Sequence, residues 1–184
     1  MLHRLSIAIV FMAATVTGAR AQHAPPTPYA DLKARRVKAL SDAQVSDLGA
    51  GRGMGLALPA ELNGYPGPMH VLELAAELGL SDPQGERMQR LLAEMKAEAV
   101  PLGERIVARE TDLDRLFAGR AITPASLQEA TEAIAGLQGA LRFAHLRFHL
   151  ATVEVLTPHQ RQRYGELRGY GGLKGHGQGA KRPH

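Results

Sequence analysis

The chain has 184 residues, is 45% hydrophobic and 22% charged, and contains four Phe, four Tyr, no Trp and no Cys. That length suits one domain, and an aliphatic set dominated by Ala and Leu favours helices over an aromatic-filled β-sandwich. Without Cys, thiol catalysis, disulfides, iron–sulfur clusters and thiolate zinc sites are excluded, which leaves eight His and six Met as borderline and soft metal donors.

Residues 1–21 have the pattern of a cleavable signal peptide. His3 and Arg4 precede an apolar run from Leu5 to Gly18, and Ala19-Arg20-Ala21 supplies small-x-small before Gln22. The run is shorter than the roughly 20 residues that span a bilayer. An exported, periplasmic protein is therefore expected. Cleavage removes Arg4 and Arg20 and takes the formal charge from +4 to +2; setting aside Lys174, Lys181 and Arg182 of the tail leaves −1. A near-neutral exported body argues against nucleic acid and nucleotides as partners.

Residues 22–68 form an N-terminal segment: a Pro-rich lead-in from Gln22 to Pro28, a helix expected over Asp31–Leu48, and a Gly/Pro-rich loop over Gly49–Pro68. That loop has neither G-x-G-x-x-G nor G-x-x-x-x-G-K-[ST], so it offers no phosphate cradle. Residues 69–168 are expected to be helical throughout. A short helix over His70–Leu78 closes at Gly79. Met88, Leu91, Met95, Ala99, Leu102, Ile106, Leu113 and Leu116 then recur at intervals of three and four. A second stripe runs through Leu127, Ala130, Ile134, Leu137, Leu141, Ala144, Phe148, Ala151 and Val155. Such seams pack antiparallel helices together. Gly119 and Thr123-Pro124 mark the turn between them, and Pro101 is expected to kink the first arm. A last helix is expected from Pro158 to about Arg168, followed by a flexible Gly-rich tail over 169–184.

Three helices share one start signal: Leu40-Ser41-x-x-Gln44, Leu80-Ser81-x-x-Gln84 and Leu156-Thr157-x-x-Gln160. Each is a capping box, in which the hydroxyl and the Gln side chain reciprocally satisfy free N–H groups of the first turn. With L-T-x-x-Q before its last helix, no Cys and an all-helical pattern, the region Met69–Arg168 resembles the Spy/CpxP superfamily, and within it the periplasmic heavy-metal sensor and zinc-resistance-associated branch. The resemblance implies an all-α, four-helix hooked antiparallel hairpin, a homodimer, and a role in envelope stress. Some members are ATP-independent chaperones of unfolded clients; others bind nickel, cobalt, zinc or copper.

His145-Leu146-Arg147-Phe148-His149 sets two imidazoles four residues apart on one helical face, the spacing with which a helix shares a metal between two rings. His145 adjoins the apolar seam and His149 lies nearer its edge. His70, with Glu73 and Glu77 following it, is the third candidate. The metal-sensor branch implies an early His-x-x-x-His and a late His-x-x-x-Met. This chain has His145 and His149 in the late position and His70 in the early one, with Leu74 where a second His would fall. A divalent Zn, Cu, Ni or Co ion on His145, His149 and His70 is the expected cofactor. Met54 and Met69, in or beside the loop, are further soft donors, whereas Met88 and Met95 fall on the core stripe. His176 and His184 lie in the tail.

No enzyme is expected: G-x-S-x-G and H-E-x-x-H are absent, and Glu110, Asp112 and Asp114 sit two apart on a helix, where they face different ways. Two functions fit the sequence. One is a metal-binding stress protein that reports to a membrane-bound regulator; the alternative is a refolding chaperone using the long hairpin.

Overall fold

The computed structural model describes Tyr29 and residues 31–170. The expected signal peptide over 1–21, the expected lead-in over 22–28 and the tail histidines His176 and His184 lie outside the described residues. Every element among the described residues is helical: a 3-10 turn over Asp31–Ala34, then α1 (Asp42–Gly49), α2 (Leu58–Glu61), α3 (Pro68–Glu73), α4 (Asp82–Ala118), α5 (Pro124–Val155) and α6 (Pro158–Leu167). Among them, no helix is long and apolar enough to cross a membrane.

The first helix is shorter than its pattern. Where one helix was expected over Asp31–Leu48, the 3-10 turn ends at Ala34, residues 35–41 are not helical, and Ser41 starts α1, its Oγ accepting from Gln44 N (3.2 Å) while Ser41 N donates to the Gln44 carboxamide (2.9 Å). The expected helix over His70–Leu78 likewise ends at Glu73 and continues as turns to Gly79, which takes φ +59°. In the loop expected over Gly49–Pro68 the chain forms the four-residue α2.

α4 and α5 pack antiparallel along their length. Gln84 near one end of α4 donates to Val155 O at the far end of α5, and Glu98 meets Arg147 midway (3.1 Å from Arg147 Nε). The two stripes supply the buried apolar side chains: Met88, Leu91, Met95, Ala99 and Ile106 from α4, and Ile134, Leu137, Leu141, Ala144 and Phe148 from α5. Helix α4 continues through Pro101, which is exposed. One cluster joins Met88, Leu91, Met95 and Phe148 to Val71, Leu78, Leu156 and Tyr164; a second joins Ala99, Ile106, Leu137 and Leu141 to Leu48 of α1. From Val107 to Ala133 no residue is buried, so the far end of the hairpin is only two helices thick. The turn there is a Schellman closure, Ala121 N to Leu116 O at 2.9 Å, which places Arg120 and not Gly119 in the left-handed region.

Two of the three repeated start signals meet in space. The amides of Gln84 and Gln160 pair reciprocally (2.9 and 3.0 Å), and Gln160 also reaches the carbonyls of Leu78 and Gly79 (both 3.4 Å). The Gln that completes each cap thus also ties the start of α6 to the start of α4, a use no single cap requires. Gln160→Leu is expected to lower stability by about 2 kcal/mol, because it removes a cap partner and both bonds that join the half-buried Gln84 amide to it. Gln44→Leu, whose amide serves only its own exposed cap, is expected to cost about half as much. Urea denaturation of the two variants makes the comparison.

Candidate functional site

The site grows from the loop expected to be featureless. Pro59 sits in the first turn of α2, and that one turn delivers Glu61 into the interior, where the residue is 5% exposed. Glu61 is the only carboxylate between Gly49 and Pro68. Its two oxygens are divided between elements. Oε1 accepts from the Tyr164 hydroxyl of α6 and lies 3.3 Å from His70 Nδ1, 3.5 Å from the Tyr170 hydroxyl and 4.0 Å from Arg168 Nε. Oε2 accepts from Gly67 N (3.2 Å) and lies 3.6 Å from His149 Nδ1. Burial pushes the Glu61 carboxyl up, but bonds from His70 and Tyr164 and the charges of His70 and His149 outweigh it, and the net shift is downward. Tyr164 stays a proton donor: burial raises its pKa, and the bond to the anionic Glu61 and that charge raise it further.

His145 and His149 are both buried, at 2% and 7% exposure. Sequence position put His149 near the edge of the seam; the loop over 50–68 covers that side of α5 and encloses it. His149 Nδ1 stands 2.6 Å from the Tyr65 carbonyl, a contact that requires the ring to donate there, so in the neutral ring the lone pair is on Nε2. Gly67 lies against the other edge of this ring, and a Cβ at that position would fall 2.9 Å from Nε2. His145 packs beside Gly53, and its Nε2 is buried with no hydrogen-bond partner. Burial, helped by the charge of His149, lowers the His145 pKa and holds the ring neutral, the form that binds a metal.

The structure brings His70, His145 and His149 to one cavity of about 320 Å³, bordered also by Asp47, Arg52, Met54, Glu61, Met69 and Met95. Glu73 and Glu77, which follow His70 in sequence, are exposed, and the carboxylate that His70 meets is Glu61. Met95, assigned to the core, serves both the core and the cavity wall. Among the described residues, no three His, Asp or Glu side chains are grouped closely enough to hold an ion as they stand. A second cavity, about 440 Å³, opens beside α1 and is walled by Leu40, Leu48, Leu56, Ile106 and Leu141, with Met54 shared between the two.

The expected tail also departs from its pattern at its start. Gly169 takes φ +73° beyond α6, and Tyr170 turns back on the core with its ring 6.4 Å from that of Tyr164. A half-buried ring with a hydroxyl near Glu61 outweighs the Gly content around it. Glu61, Tyr164 and Tyr170 were not among the sequence candidates; the single acid inside a long Gly/Pro run was the signal available for Glu61. No family model, curated protein or solved structure matches this chain.

Proposed function

We propose that the protein is a periplasmic, non-enzymatic metal-binding stress protein of the heavy-metal sensor or resistance-associated kind, with His70, His145 and His149 as ligands and the hooked, four-helix, dimeric architecture of the Spy/CpxP superfamily. The observation that carries this reading is that three imidazoles, from α3 and α5, border one cavity. The unpartnered Nε2 of His145 fits it, because a buried ring nitrogen without a hydrogen bond is costly unless something else binds it. Signalling follows from Glu61. The carboxylate that faces His70 and His149 also holds Tyr164 of α6, so ion binding and the docking of α6 are linked, and a membrane-bound regulator would read the second.

Calorimetric titration with Zn, Cu, Ni and Co is expected to give binding that His145→Ala/His149→Ala abolishes. His70→Ala, at a partly exposed position that leaves the core intact, is expected to weaken it about tenfold. Binding unchanged in the double variant would refute the site.

One observation favours the chaperone reading instead. Phe143 and Leu150 of α5 are 67% and 57% exposed, on the same helix as Arg142 and Arg147. Apolar surface among cations suits unfolded clients. Failure of all four metals to bind would put this reading in front.

A further inference from the structure

Building on the metal reading above, we infer that the ion selected by this cavity is monovalent copper, held by the thioether sulfurs of Met54 and Met69 together with the imidazoles of His145 and His149. The argument starts from which donors are free. Both carboxylates that border the cavity are engaged: Asp47 holds Arg52 Nε at 2.6 Å, and Glu61 accepts from Tyr164 and from Gly67 N. His70 turns Nδ1 to Glu61. What remains is one nitrogen on each ring, Nε2 of His70 on a side chain 32% exposed and Nε2 of the buried rings His145 and His149, together with the sulfurs of the bordering methionines. That is a set of neutral nitrogen and sulfur donors.

Such a set discriminates by softness and by charge. Thioethers favour cuprous ion, whereas Zn, Ni and Co gain more from carboxylate, imidazole and water. The desolvation cost of an ion rises with the square of its charge, so a cavity whose anions are already paired penalises a divalent ion far more than a monovalent one. The placement of Met54 points the same way. It is a non-glycine residue at φ +45°, a strained conformation, within the run Gly51–Gly55, where glycine would sit without cost. Its side chain stands where the two cavities adjoin.

The test is an anaerobic competition titration of the purified protein with Cu(I) against a chromophoric Cu(I) chelator, run beside Zn(II) calorimetry. Met54→Leu, Met69→Leu and the double variant conserve volume, and both positions are about 40% exposed, so the fold is expected to stand; far-UV circular dichroism checks it. One Cu(I) is expected to bind. The double variant should weaken it at least tenfold while leaving any Zn(II) binding unchanged, and X-ray absorption should show copper–sulfur scattering that the double variant loses. Zn(II) bound without Cu(I), or Cu(I) bound equally well by the double variant, would overturn the inference and leave the histidine site standing. Binding of neither ion would overturn both.

Discussion

Gly103→Ala is expected to cost about 3 kcal/mol, although it adds one methyl group to an α-helix. A Cβ at that position would stand 2.3 Å from the carbonyl oxygen of Leu48 and 2.8 Å from its carbon. Both are backbone atoms, so no rotamer change relieves the clash, and α1 must move off α4. Leu48 would leave its cluster with Ala99, Ile106, Leu137 and Leu141. Overpacking of this kind costs about 1–3 kcal/mol and more where backbone is struck. For a domain of this size that lowers the melting temperature by roughly 6–12 °C. Gly136→Ala is the control, because nothing lies within 4 Å of a Cβ there and the residue is inside α5. It is expected to stabilise by about 0.5–1 kcal/mol. A Gly103→Ala melting temperature within a degree of the parent would show that α1 does not pack on α4 at this point.

What could be read from the sequence follows the length scale of the signal. Helices α4 and α5 carry eight or nine periodic apolar positions each, and their buried apolar side chains fall on those stripes, whereas the buried His145, His149 and Thr152 of α5 do not. Where the signal is one turn long it fails. Helix α2 has four residues and no periodicity, so Glu61 is hidden in a run whose Gly and Pro content indicates only a loop. The burial of His149 was equally out of reach: helix geometry places it beside the seam, and only the fold-back of residues 50–68 covers it. The capping boxes were legible as caps, but the pairing of Gln84 with Gln160 needs the starts of α4 and α6 to be neighbours. In each case the missing term is a contact between segments far apart in the chain.

Glu61→Ala is the second change with a large expected effect, about 3 kcal/mol. It leaves the hydroxyl of Tyr164, a residue 1% exposed, and the amide of Gly67 without acceptors, and each lost partner costs about 1–3 kcal/mol. Tyr164→Phe alone is expected to cost about half as much. The double variant should fall short of the sum by at least 1 kcal/mol, because both singles break one bond. Additivity within about 0.5 kcal/mol would show the contact to be energetically idle. Acid titration of the metal-free protein gives an independent readout. The Glu61 pKa is depressed in the folded state, so its contribution is whole above the unfolded value of about 4.3 and disappears as pH falls through the folded one. His145 acts in a separate window: its folded pKa is also lowered, so the unfolded chain takes up a proton from about pH 6.5 downward before the folded ring does, and stability begins to decline there. Glu61→Gln should therefore flatten the lower limb of the profile and keep the upper one, while His145→Gln should do the reverse; a profile with both limbs intact in either variant would mean that these two groups do not couple to folding.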